Sequence, residues 1–230
     1  MIKYHKKMQQ SSDEWLKARL GIVTASNMHI LVTPTGKVAN NEKMRAYAYE
    51  IASQRETKRL EDHFESYDMI RGHIQEDIAR QIYHDNYEEV EECGFITNDN
   101  MGFTIGASPD GLVGEDGGIE IKSRLAKFQV KTIVLGEVPK EYLPQIQATM
   151  FVSGREWWDF VQYSNGLPLY VSRVFPDIAL HAIYATALVA FEVEVQWVQA
   201  QYKKNSSSLV KTEWVELNAD DEITGSGETK

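Results

Sequence analysis

Isoleucine recurs every fourth residue at Ile70, Ile74, Ile78 and Ile82, and a few residues later the chain changes from helical to extended patterning. The isoleucine stripe predicts a helix over residues 68–86 with that stripe facing the core. Residues 88–97 and 103–108 are strand-like, residues 111–118 turn the chain, and Gly118-Ile-Glu-Ile-Lys122 alternates apolar and polar as a half-buried strand does. Upstream, Ser11 or Ser12 caps a helix that carries Trp15, Leu16 and Leu20 inward and ends at Gly21. Residues 23–26 lead into a short helix holding Met28, Ile30 and Leu31, residues 33–41 form a loop, and residues 42–65 are helical. Downstream, residues 142–151 are helical. Residues 157–163 and 169–174 form a hairpin around Asn165-Gly166, and residues 176–203 form a long apolar helix. This order predicts an α/β (α+β) fold: a central mixed β-sheet flanked by helices.

A chain of 230 residues with 43% hydrophobic content builds a substantial core. No interior stretch reads as a linker, so residues 1–204 are expected to be one domain and residues 205–230 an acidic tail, partly disordered. A single cysteine, Cys93, excludes an intramolecular disulfide, a multi-thiolate zinc site and an iron–sulfur cluster. No apolar run of about 20 residues and no signal-peptide core is evident, so a cytosolic location with no membrane is expected. The net charge of −10 argues against nonspecific coating of nucleic acid, although a local basic cleft inside an acidic exterior escapes that objection.

Three residues carry the chemistry. Asp110 stands between Pro109 and Gly111 at a strand end or turn, and ten residues later Glu120 and Lys122 share one face of a strand. If residues 103–109 pair with residues 118–122, Asp110 reaches that face too. Two carboxylates, helped by the Ile121 carbonyl, suit Mg²⁺, a hard cation that takes oxygen ligands. The cation offsets charge developing on phosphorus oxygens, and Lys122 orients the attacking water or stabilises the transition state. The plainer alternative makes Asp110 a turn cap and Glu120/Lys122 a surface pair.

The surrounding blocks resemble the YqaJ-type viral recombinase branch of the PD-(D/E)XK nuclease superfamily. The resemblance runs through Trp15-Leu-Lys-Ala-Arg-Leu-Gly-Ile-Val-Thr-Ala-Ser26, Gly72-His-Ile-Gln-Glu76, Ser108-Pro-Asp-Gly-Leu112, Glu120-Ile-Lys122 and Tyr142-Leu-Pro-Gln-Ile-Gln147, in that order; beyond Ser153 it is only architectural. It implies a restriction-endonuclease-like core. The activity would be a Mg²⁺-dependent 5′→3′ exonuclease, with Mn²⁺ a plausible substitute, that degrades one strand of linear duplex DNA and leaves a 3′ single strand for recombination. Asp110, Glu120 and the Ile121 carbonyl become metal ligands, Lys122 the catalytic lysine, and Glu76 a further metal-positioning acid. Gln145 touches the site or the scissile strand, with Tyr142 and Gln147 behind it. Arg19 and Ser26, with Ser108, grip the 5′-terminal phosphate. On the residues alone, Glu76 also reads as a boundary glutamate, Arg19 as a helix-surface arginine and Ser26 as a helix N-cap. The resemblance further implies a phage or prophage protein of the bacterial cytosol, a ring-shaped homotrimer threading DNA ends, and a single-strand annealing protein as partner.

Other features take plain readings. His63, His73 and His84 lack zinc spacing and are assigned to the surface, and Gly114–Gly118 is a hairpin turn. Trp157-Trp158 at strand spacing puts one ring in the core and one at the surface. Lys127, Lys131, Lys203 and Lys204 belong to a solvated face. Competing functions are another nuclease of the superfamily, such as an endonuclease, and a non-catalytic acidic binding protein.

Overall fold

The structure is a computed structural model that describes residues 1–60 and 67–215; the side chains of residues 67–70 and 73 also lie outside the description. The chain opens with strand β1 (Ile2–His5) and helix α1 (Asp13–Arg19). The Ser12 hydroxyl caps α1 by accepting from the Trp15 amide at 3.3 Å, and Gly21 turns the chain away at φ +69°. Strand β2 (Val23–Thr24), a single 3₁₀ turn (Ala25–Asn27) and helix α2 (Met28–Leu31) follow. Helix α3 (Glu42–Thr57) is capped by Asn41 and closed by Lys58 in the left-handed region. Helix α4 (Tyr67–Asn86) precedes strands β3 (Val90–Glu91), β4 (Phe95–Asn98), β5 (Ile105–Ala107), β6 (Gly111–Val113) and β7 (Gly117–Ser123). Helices α5 (Ala126–Leu135) and α6 (Leu143–Ser153), strands β8 (Trp157–Tyr163) and β9 (Tyr170–Val174), and helix α7 (Ile178–Ser206) complete the order.

The mixed α/β architecture is as expected, with its strands divided between two sheets. One runs β1-β4-β5-β2, with β2 parallel to β5; the other runs β3-β6-β7-β8-β9, with β7 parallel to β8. The larger core packs α2, α3, α6 and α7 around Met28, Tyr47, Ile96, Ile105, Ile146, Trp158, Phe160 and Phe191. The smaller lies under α4 and holds Ala79, Tyr83, Ile119, Ile121 and Val161. Strand β7 therefore has two different faces: Ile119 and Ile121 point to α4, and by strand alternation Glu120 and Lys122 point to the α6 side.

Several expectations are corrected. Residues 103–109 do not pair with β7: β5 belongs to the first sheet, and the hairpin partner of β7 is β6, with Gly111 opposite Ile119. The isoleucine stripe does not face the core, since Ile74 and Ile78 are 61% and 45% exposed and only Ile82 packs inward. A four-residue step overshoots the 3.6-residue turn, so a strict run of fours winds around the helix; the inward face of α4 is carried by Ala79 and Tyr83 instead. Ile70 falls outside the described side chains. Leu16 is also exposed, while Trp15 and Leu20 are half-buried. Helix α3 ends at Thr57, and residues 61–65 of that expected helix lie outside the described residues, as do His63, the His73 side chain and residues 216–230 of the acidic tail.

Helix α5 and strands β1 and β6 were not expected: β6 and the start of β7 occupy most of the expected turn over residues 111–118, and the expected strand over residues 88–97 is two, β3 and β4, in different sheets. The run Val130, Ile133, Val134 reads as strand by propensity, and buried amides hold it helical: Gln129 donates to the Gln162 and Pro168 carbonyls at 2.9 and 2.7 Å, and Thr132 donates to the Gln162 side chain at 3.2 Å. Helix α7 is long and apolar enough, by length and composition, to cross a membrane, contrary to the sequence reading. Its Tyr184, Leu188, Phe191 and Val195 are buried in the core, and Glu192 forms a two-bond ion pair with Arg55 of α3 at 2.7 and 2.8 Å. Of the tandem tryptophans, Trp158 is buried and Trp157 is half-exposed beneath Arg173.

Candidate active site

The register of β6 and β7 creates the site. Pairing ends at Gly111 opposite Ile119, so the edge of β7 beyond that point loses its strand partner where Asp110 stands. Asp110 fills the gap: its Oδ2 accepts from the Ile121 amide at 2.6 Å. The amide and carbonyl of one strand residue point to the same edge, which turns the Ile121 carbonyl toward Asp110 as well. Glu120, on the α6 face of β7, is 1% exposed. One carboxylate oxygen accepts a short hydrogen bond from the Lys122 ammonium; the other, Oε2, is buried with no hydrogen-bond partner.

Burial raises the Glu120 pKa well above the usual carboxylate range, opposed by Lys122 and reinforced by Asp110 and Glu76. For Lys122 burial acts downward, but Glu120, Asp110 and Glu76 outweigh it and hold the ammonium charged. A buried carboxylate oxygen without a hydrogen-bond partner, near a second carboxylate and a strand carbonyl, is a donor set that a hard cation would complete. The donor set fits Mg²⁺, which binds through one or two carboxylates and retains waters. Among the described residues no three acid, histidine or cysteine side chains are gathered to hold a metal. The layers explain this: Glu76 approaches from α4, on the opposite face of β7, near enough to influence Glu120 and Lys122 electrostatically. Helix α4 is fixed there by a short hydrogen bond from the Ser123 hydroxyl to Gln75.

On the α6 side, the Tyr142 ring stacks on Phe160 with centroids 5.5 Å apart, and Lys122 Nζ lies 5.9 Å from its centroid. Arg124 donates a short hydrogen bond to the Tyr142 hydroxyl. Gln145 sits on the first turn of α6, half-buried, and its side chain makes no hydrogen bond among the described residues. Gln147 is a staple between elements. It donates to the Phe175 carbonyl at 2.8 Å, and its Oε1 accepts from the Asp177 amide at 2.8 Å and contacts His181 Nε2 at 3.0 Å.

The phosphate-binding candidates converge at the ends of two parallel strands. Thr24 pairs with Gly106, so Ser26 and Ser108 each lie two residues past the last matched pair on neighbouring strands. Ser108 accepts from Arg19 at 3.0 Å and from the Trp15 indole at 2.9 Å. Arg19 stacks on Trp15 with its guanidinium carbon 4.2 Å from the ring centroid. Burial pulls its pKa down, and among the described residues no carboxylate pairs with it. Ser26 is exposed; the caps of the 3₁₀ turn and of α2 are Thr24 and Asn27, so the N-cap reading of Ser26 is not what the structure has. Its hydroxyl contacts that of Thr24 at 3.1 Å.

Sequence patterning missed Arg80 and Gln10, which hold the Asp110 turn by its carbonyls: Arg80 Nε donates to the Asp110 carbonyl at 2.7 Å, and Gln10 donates to that of Pro109 at 2.9 Å. Arg80 carried a signal, standing one helical turn after Glu76 on the same face; Gln10, distant in sequence, carried none.

Comparison with known proteins is consistent with this geometry. The profile of the YqaJ-like viral recombinase domain matches residues 14–156. An alkaline exonuclease from Laribacter hongkongensis is 34% identical over 86% of this chain and 100% of its own, with a TM-score of 0.76; the same figures hold for its structure in complex with dAMP. A phage-related exonuclease from Haemophilus somnus shares the fold at 13% identity, with a TM-score of 0.56 over 78% of this chain and 96% of its own. No curated protein matches.

Proposed function

Because the chain belongs to the YqaJ-like viral recombinase family and is a phage-type exonuclease acting on DNA, we propose that it degrades one strand of linear duplex DNA from the 5′ end with Mg²⁺ held at Asp110 and Glu120. The observation that carries the proposal is the buried, unpartnered Oε2 of Glu120 beside Asp110, two residues along the chain from the Ser108 hydroxyl that Arg19 holds.

Asp110, Glu120 and the Ile121 carbonyl would hold the cation, with Glu76 reaching over the strand edge. When bound there, Mg²⁺, or Mn²⁺ in its place, supplies Lewis acidity to the phosphodiester and eases deprotonation of water. Lys122 stays protonated against Glu120 and offers its ammonium to the oxygens on which charge develops. Tyr142 limits the swing of that ammonium, and Gln145 faces the scissile strand from α6. Arg19, desolvated and paired with no carboxylate among the described residues, with Ser108 and Ser26, receives the terminal 5′ phosphate. This grip supplies direction: a phosphate seated there sets the distance from the strand end to the carboxylates, and the product is a mononucleotide. That the Laribacter enzyme is solved in complex with dAMP, a mononucleotide, supports this reading.

The remaining strand, left with a 3′ end, would pass to a single-strand annealing protein in the cytosol. A homotrimeric ring would retain it, and light scattering on the purified protein tests that state. The activity test compares linear duplex bearing 5′ phosphate, linear duplex bearing 5′ hydroxyl, and closed circular duplex, each with Mg²⁺. The proposal expects degradation in that order of preference and no attack on the circle. Cleavage of the circle at the linear rate sinks it.

A further inference from the structure

We propose that Arg80 and Gln10 are positioning residues for Asp110, setting the peptide planes of the Pro109–Asp110 turn and so the aim of the carboxylate. The inference rests on the reading of Asp110 as a metal ligand. Strand β6 begins at Gly111, so the carbonyls of Pro109 and Asp110 precede its ladder with β7. Each accepts from a side chain of a different part of the chain: Pro109 from Gln10, in the segment before α1, and Asp110 from Arg80, in the middle of α4. Gln10 and Arg80 both line a cleft of about 840 Å³ whose wall includes Glu76, His84 and Asp110.

The two bonds hold the peptide planes on either side of the Asp110 Cα, while its carboxylate is tied to the Ile121 amide at 2.6 Å. A carboxylate anchored at one oxygen on a backbone fixed on both sides has few orientations left, which is what a ligand to a geometry-demanding cation needs. Arg80 does a second thing. It stands one turn after Glu76 on α4, and its guanidinium also binds Asp77 at 2.7 Å, so it joins the helix carrying Glu76 to the turn carrying Asp110. The two acids lie in different layers, and this bridge fixes their separation. Arg80 is largely buried while Gln10 is exposed, so the two can be tested with different risks to folding.

The experiment measures Mn²⁺ binding by calorimetry on the metal-free protein for the wild type, Asp110→Ala, Arg80→Met, Arg80→Lys and Gln10→Ala. Each is paired with a melting curve in chelator and with KM and kcat on 5′-phosphorylated linear duplex. Arg80→Met and Gln10→Ala are expected to weaken Mn²⁺ roughly tenfold or more, the scale on which partners of metal ligands act. The KM for DNA should stay unchanged, with Arg80→Lys recovering part of the loss. Retained Mn²⁺ binding in Asp110→Ala overturns the ligand reading beneath the inference. Loss in Asp110→Ala with wild-type binding in both Arg80→Met and Gln10→Ala overturns the inference itself. If Arg80→Met fails to fold, Gln10→Ala decides alone.

Discussion

Lys122 and Arg19 are both cations drawn out of water, and their surroundings assign them different work. Lys122 is kept charged by Glu120, Asp110 and Glu76, so truncating it removes a charge that, in the proposed reaction, faces the phosphate. Lys122→Met is expected to lower kcat by about 10²–10³-fold with little change in KM, read by single-turnover release of mononucleotide. Arg19 meets no such acid among the described residues and donates to the Ser108 hydroxyl instead. Arg19→Ala is expected to lower kcat/KM on 5′-phosphorylated ends by about 10–100-fold, the scale of a charge-assisted hydrogen bond, and to leave 5′-hydroxyl ends nearly unaffected. An equal loss on both kinds of end contradicts the phosphate role. The shared face of Glu120 and Lys122 was legible in the sequence because strand alternation follows from covalent geometry; Asp110 comes near it through the pairing of β6 with β7, which the sequence reading did not have. Arg80 and Gln10 were not legible, since a donor to a turn carbonyl is chosen by where the chain folds back and leaves no period behind.

At the scale of elements, α6 owes its place to polar staples. Gln147 ties it to the junction between β9 and α7, and without it the Asp177 amide and Phe175 carbonyl lose their partners. Gln147→Leu is expected to cost about 1–3 kcal/mol in chemical denaturation, with kcat per folded molecule retained. A selective loss of kcat with full stability would restore Gln147 to the site. The neighbouring His181, stacked on Tyr184 and edge-on to Phe151, has its pKa lowered chiefly by burial, against smaller upward pulls from Gln147 and Asp177. The fold favours the neutral ring, so this contribution is present above the ordinary histidine pKa of about 6.5 and is lost as pH falls below it. Melting curves at pH 7.5 and 5.5 should show a smaller acid-induced drop in His181→Phe than in wild type; equal drops refute the assignment. The same scale shows why α5 escaped detection. Its β-branched residues point toward strand, and only the Gln129–Gln162–Thr132 network, visible once β8 is in place, holds it helical. Helix α4 shows the converse: the helix was legible, but its inward face was misread because regular fours were taken for a straight stripe.

For the whole molecule, the chain passes between the two sheets more than once, and one of these passages carries the candidate site. Residues 108–110 leave β5 in the first sheet and enter β6 in the second, so Ser108 and Asp110 are neighbours along the chain at the junction of two sheets. Helix α3 is pinned to α7 by Arg55 and Glu192. Arg55 also donates to the Gly21 carbonyl at 2.7 Å, next to the end of the helix that carries Arg19. Arg55→Met strands Glu192 in a mostly buried position and is expected to cost about 3 kcal/mol, seen as a fall in denaturation midpoint. An unchanged midpoint would show that the pair is dispensable. Most of the longer helices and strands were readable from period and turn residues, whereas the division into two sheets was not, because alternation says which face is buried and nothing about which strand lies alongside.

The central claim is direction: one strand, from its 5′ phosphate, at carboxylates that need a divalent cation. The measurement is time-resolved gel analysis of a linear duplex with distinct labels at the two 3′ ends and a phosphate on only one 5′ end, with Mg²⁺ and with chelator. The account predicts mononucleotide loss first and fastest from the phosphorylated 5′ end, slower 5′→3′ loss from the hydroxyl end, and no products in chelator or with Asp110→Ala. Shortening from a 3′ end, or internal cuts in both strands, would contradict it.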